Sequence, residues 1–91
     1  MKVWVLQYAS GYTSEATVEL FLNETDCRNK FIEDVKNSYD NEELSLDNVL
    51  FYINTNEVPY SGDDVNVDNT SVSWDGVEVY ESLCYYEMDV K

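Results

Sequence analysis

The sequence predicts an α+β domain: a mainly antiparallel β-sheet with one α-helix packed on one face. Three observations predict it. Segments near both ends alternate apolar and polar residues at the strand period. Residues 24–38 repeat their apolar side chains at helical spacing. Asp75-Gly76 separates two alternating runs, the strongest short hairpin signal in the chain. At 91 residues the chain supports one hydrophobic core and not two, so residues 1–91 are read as a single domain.

Val3-Trp4-Val5-Leu6-Gln7-Tyr8 is apolar on both alternating faces, which predicts an interior strand covered at least partly on both sides. After the polar turn Ser10-Gly11-Tyr12-Thr13-Ser14, residues 16–22 alternate, with Val18, Leu20 and Leu22 on one side and Thr17 and Glu19 on the other. This is expected to be a strand with one wet face, antiparallel to the first. Asn23 is a natural N-cap, and Glu24 and Asp26 follow it where the helix dipole favours acids. Cys27, Phe31, Ile32 and Val35 draw an apolar stripe, so a helix is predicted from about Glu24 to Ser38. Residues 40–43 read as a loop.

Val49–Thr55 fits either a strand or a short helix capped by Ser45; its aromatic and β-branched content favours the strand. Pro59, Gly62 and residues 63–69 are read as a long polar loop. Ser71–Trp74 and Val77–Tyr80 are expected to pair about Asp75-Gly76. A closing strand is expected to point Cys84, Tyr86, Met88 and Val90 inward and Tyr85, Glu87 and Asp89 outward, giving an acidic outer face. Trp4 and Phe31 are assigned to the core. Trp74, beside the turn, is read as an exposed anchor or a cross-strand packing residue.

Composition excludes several functions. With 44% hydrophobic and 14% aromatic residues, the chain is no disordered acidic tail. It contains no histidine, which removes imidazole acid–base catalysis, Ser–His and Cys–His nucleophiles, and histidine-containing zinc sites. Cys27 and Cys84 are too few for a zinc cage and are expected to be buried, free thiols in a reducing cytoplasm. The opening residues reach polar Gln7 after four apolar ones, unlike a signal peptide, and no run approaches membrane-spanning length. Two glycosylation sequons, at Asn23 and Asn69, carry no meaning without secretion. Adjacent acids such as Glu42-Glu43 and Asp63-Asp64 fall in predicted loops with no apolar pocket to shift a pKa, so no enzyme is expected. No cofactor is implied.

Charge is the most informative feature. Nineteen acids face five bases, a net charge of −14. Residues 1–39 carry six acids and four bases, whereas residues 40–91 carry thirteen acids and only Lys91. Such a surface repels DNA, RNA and anionic lipid, and its self-repulsion exceeds what solubility requires. Alternate residues on a strand stand about 6.7 Å apart, matching every second phosphate along a DNA strand. The expected function is therefore a decoy for nucleic acid that occupies the basic groove of a nucleic-acid-binding protein. Its candidate contacts are Glu42, Glu43, Asp47, Glu57, Asp63, Asp64, Asp68, Glu78, Glu81, Glu87 and Asp89, with Trp74 and Tyr85 as anchors. A solvated acidic face on an adaptor or assembly protein, binding through a sheet edge or apolar patch, is the alternative. A third reading takes Asp64, Asn66, Asp68, Thr70 and Asp75 as a calcium loop, although position six is Asn69 rather than glycine.

In length, charge, missing histidine and strand–strand–helix opening, the chain resembles small acidic phage proteins that disarm host nucleases. These include anti-CRISPR proteins, anti-restriction DNA mimics and inhibitors of uracil-DNA glycosylase. The segment from Thr17 to Phe31 also resembles the opening of small phage and bacterial ββα proteins. The first likeness implies a non-enzymatic inhibitor in the host cytoplasm, with a CRISPR effector or other defence nuclease as partner. The second bears on the fold.

Overall fold

The computed structural model describes residues 1–11, 17–55, 58–75 and 80–90. Six strands form one antiparallel sheet: β1 (Lys2–Ser10), β2 (Thr17–Phe21), β3 (Tyr60–Ser61), β4 (Val65–Val67), β5 (Ser71–Asp75) and β6 (Tyr80–Asp89). Their spatial order is β2-β1-β6-β5-β4-β3. Two helices, α1 (Glu24–Ser38) and α2 (Leu46–Asn54), carry the chain from the β2 edge to the β3 edge, and a meander then returns it to β1. The class is α+β, as the alternation predicts, with two helices where one was expected.

The helix α1 has the predicted bounds. Asn23 caps it by accepting the Asp26 N–H at 2.8 Å, and Cys27, Phe31 and Val35 are buried. The antiparallel β1–β2 pairing also holds, with Trp4 opposite Phe21 and Tyr8 opposite Thr17.

Residues 49–54 are helical, correcting the expected strand. Read from Leu46, the apolar residues Leu46, Val49, Leu50 and Ile53 fall at i, i+3, i+4 and i+7. Ser45 caps the turn by accepting the Asn48 N–H at 3.3 Å. The expected polar loop at 59–69 also contains β3 and β4, because Val65 and Val67 alternate with Asn66 and bury themselves against the helices.

The last hairpin is a single pair of strands whose register sets Asp75 opposite Tyr80 and Trp74 opposite Glu81. Residues 76–79, where the two-residue turn and the strand start at Val77 were expected, lie outside the described residues.

Alternate side chains on each strand reach the helix side. There, Leu6, Val65, Val67, Val72, Trp74, Leu83 and Tyr85 join Cys27, Phe31, Val35, Leu44, Val49 and Ile53 in one core. The closing strand therefore faces opposite to expectation. Leu83 and Tyr85 point inward, and Cys84, Tyr86 and Met88 lie on the side without helices. Trp74 is fully buried, with its ring edge-on to Tyr39, and Tyr85 packs on Phe31, so neither is an exposed anchor.

The uncovered side is mixed. Along β5 and β4 it shows Ser71, Ser73, Asp75 and Asn66. Along β2, β1 and β6 it shows Val18, Leu20, Val3, Val5, Tyr86 and Met88. Val3 and Val5 are 5% and 2% exposed, yet neither belongs to the helix-side core.

Candidate functional site

The carboxylates segregate by strand. Asp64 and Asp68 flank β4, and because Val65 and Val67 point inward, both acids take the outward parity of the pleat with Asn66 between them. At strand spacing Asp64 and Asp68 stand about 13 Å apart. The Asp75 N–H donates to the Asp64 carbonyl at 2.9 Å, which sets these two acids side by side. Crowding has a titration consequence. Loss of solvation and then the negative charge of Asp75 raise the Asp64 carboxyl above its ordinary 3.8.

Asp63 and Glu43 complete this acidic end of the sheet, but Glu43 is committed to structure. Its Oε1 accepts the backbone N–H groups of Asp63 and Asp64, each at 3.1 Å, and its Oε2 accepts the Tyr60 hydroxyl at 3.1 Å. The Asp64 N–H foremost, with the Tyr60 hydroxyl and the Asp63 N–H, holds the Glu43 carboxyl below its usual range. Asn41 ties the same loop to β5 by donating to the Asp75 carbonyl at 2.8 Å and accepting the Glu43 N–H at 2.8 Å. A Cβ at Gly62 would meet the Glu43 carboxylate and the Tyr60 hydroxyl, so a side chain there displaces this clamp.

The remaining candidates scatter. Asp47 sits in the first turn of α2 and Glu42 is exposed in the preceding loop. Asp68 accepts the Thr70 N–H at 2.9 Å, closing the β4–β5 turn. Glu81 lies on the helix side, half-buried, and accepts the Tyr8 hydroxyl; that bond is the main cause of the raised Tyr8 pKa. Glu87 and Asp89 stand at the far end of β6, about 20 Å or more from Glu81. There Glu87 pairs with Lys2 at 2.9 Å and Asp89 lies opposite Lys2 in register. The expected outer acidic face of the last strand is therefore on the helix side and partly neutralised. Glu57 and Glu78 lie outside the described residues. Asp75 was not among the candidates: its glycine neighbour marks a turn, and only the register places it beside Asp64.

Three bases are engaged elsewhere. Arg28 is engaged inside the fold, Lys30 pairs with Asp34 at 3.0 Å, and Lys2 pairs with Glu87. Among the described residues, no ion pair involves Asp63, Asp64, Asp68 or Asp75. No cluster of three or more metal-ligating side chains occurs among them either, and the calcium-loop residues are spread over β4, its flanking turns and the end of β5. Cys27 is buried, and loss of solvation pushes its thiol up to about 11. Cys84, expected inward, is half-buried on the opposite side of the sheet, so the two thiols are free and face apart.

No family model, no curated protein and no solved structure matches this chain. No described helix is long and apolar enough to cross a membrane.

Proposed function

We propose that the protein is a non-enzymatic inhibitor whose acidic β4–β5 hairpin enters the basic nucleic-acid groove of a partner, in the manner of an anti-CRISPR or anti-restriction DNA mimic. One observation carries this reading: Asp64 and Asp68 flank β4 at the same pleat parity, Asp75 adjoins Asp64, and among the described residues no base forms an ion pair with them. Carboxylates held at strand spacing present charge at intervals like those of a phosphate backbone. Desolvation first, and then the neighbouring Asp75 and Glu43 charges, raise the Asp64 pKa, and lysine or arginine from a partner offsets the second of these causes. The partner is a basic nucleic-acid-binding protein such as a defence nuclease of the bacterial cytoplasm.

The test is capture from a host lysate, followed by competition with duplex DNA and guide RNA at rising salt. Binding is expected to weaken with salt and to compete with nucleic acid. Reversing Asp64 and Asp68 to lysine is expected to abolish capture, whereas reversing Glu24 and Asp26 on α1 leaves it intact. Equal losses from both pairs refute a directional decoy. A second reading, an acidic assembly protein docking through an apolar patch, is favoured by one observation: Val18, Leu20, Tyr86 and Met88 are 42–61% exposed on one sheet face.

A further inference from the structure

We infer that two copies of this chain pack face to face through the uncovered side of β2, β1 and β6. The inference rests on the second reading above and names its partner. The face is uncharged and mostly apolar, with Gln7 between Val18 and Cys84 and Ser82 farther along β6. Leu20 and Tyr86 flank Val5 in register, Met88 lies opposite Val3, and Leu22 and Val90 extend the strip at 77% and 39% exposure.

Charge selects the occupant. For a chain of net charge −14, close approach of two copies is repulsive almost everywhere. On β2, β1 and β6, the described acids and Lys2 all fall on the helix-side parity: Glu19 is opposite Leu6, Glu87 opposite Trp4, and Lys2 opposite Asp89, while Glu81 is opposite inward Trp74. The uncovered side of these three strands is thus free of charge among the described residues. It is a surface on which two such anions meet without juxtaposed carboxylates. A basic partner gains nothing there, because nothing on the strip pairs with a cation.

Geometry agrees. The strands β2, β1 and β6, of five, nine and ten residues and spaced about 4.8 Å apart, make roughly 390 Å² in projection. That projection is about half of the roughly 800 Å² of accessible surface each partner gives a standard interface, which sets the contact among weak, concentration-dependent dimers. A two-fold axis running along β1 sets β6 of each copy over β2 of the other, as in aligned sheet packing. The acidic β4 strands then project on opposite sides, about six strand spacings or 29 Å apart, several times the screening length of about 8 Å at physiological salt. The decoy hairpin stays exposed in both copies.

The test is the mass of the full chain by light scattering and sedimentation across concentration and salt. Wild type is expected to run at twice the chain mass and to associate more tightly as sodium chloride rises, because salt screens the repulsion and leaves the apolar contact. Leu20→Glu is expected to weaken association by at least about 30-fold, the loss of a central apolar contact. Met88→Ser, a milder change, weakens it in the same direction with the circular dichroism spectrum of wild type. A monomer at millimolar concentration in high salt overturns the proposal, as does a dimer that salt loosens or that both substitutions leave intact. Monomeric wild type leaves a heterologous apolar partner possible; that wider reading falls when both variants also capture everything wild type captures.

Discussion

Arg28 donates to the hydroxyl of Tyr85 at 2.8 Å and, with the same guanidinium, to the carbonyls of Ile53 at 2.8 Å and Asn69 at 3.0 Å. One side chain of α1 thereby joins the end of α2, the β4–β5 turn and β6. The last turn of α2 contains no base of its own, so Arg28 supplies the positive charge that its C-terminal carbonyls favour.

Arg28→Ala is expected to cost about 2–3 kcal/mol, since charged hydrogen bonds are lost and the Ile53 and Asn69 carbonyls each lose a donor. Lysine presents a point charge rather than a fork, so Arg28→Lys is expected to recover less than half. Urea unfolding of both variants checks this; a change below about 0.5 kcal/mol for alanine contradicts the role.

Trp74 is fully buried, and its indole N–H has no hydrogen-bond partner among the described residues. Trp74→Ala is expected to cost about 3–5 kcal/mol through the cavity it opens. Trp74→Phe keeps most of the contact with Tyr39 and removes the unpaired donor, so its cost is expected to be under half as large. Denaturation midpoints for the two variants give the comparison.

Two neighbouring carboxylates oppose each other in acid. Glu43 has a folded pKa below its ordinary 4.5, so its contribution is complete above that value and disappears as pH falls through the folded pKa. Asp64 has a folded pKa above 3.8: its charged form is disfavoured in the fold, and protonating it as pH falls favours folding. Glu43→Gln is therefore expected to flatten the acid limb of the stability curve and lower stability at pH 7. Asp64→Asn raises stability at pH 7 and exposes the Glu43 limb alone. Gly62→Ala, which displaces the Glu43 carboxylate, reproduces the neutral-pH loss of Glu43→Gln. Thermal melts from pH 2 to 8 distinguish these outcomes.

Ser45→Ala is expected to cost about 1 kcal/mol by uncapping α2, and Ser45→Asp to restore it, because Asp accepts the same N–H and suits the helix N-terminus. Helical circular dichroism on urea titration reads the difference.

Where residues carried their own period, the fold was legible: α1 has a cap, a stripe and acids in its first turn, β1 is apolar on both faces and β2 alternates. It was less legible where short segments depend on neighbours. Begun at Val49, the second helix looks like a strand; begun at Leu46, with Ser45 as cap, its period is helical. In β4, two valines among acids read as loop until helices arrive to cover them. The side of β6 that is covered is not written in its alternation, since Tyr85 and Tyr86 are equally plausible inward residues and only the helices choose. For the same reason, the acidic surface was recognisable as a property of residues 40–91, but its division between a hairpin and a distant, lysine-paired end was not. That division depends on register.

The pairing of β1 with β6 joins Lys2 to Asp89, so the longest seam of the sheet is stitched from opposite extremes of the sequence. Bringing such distant segments together incurs a large loop-closure entropy before any ladder bond rewards it. Refolding of this small protein is accordingly expected to be slow for its size. A nick between α1 and α2 would leave two fragments, each with one half of the seam, able to regain the native sheet only by meeting.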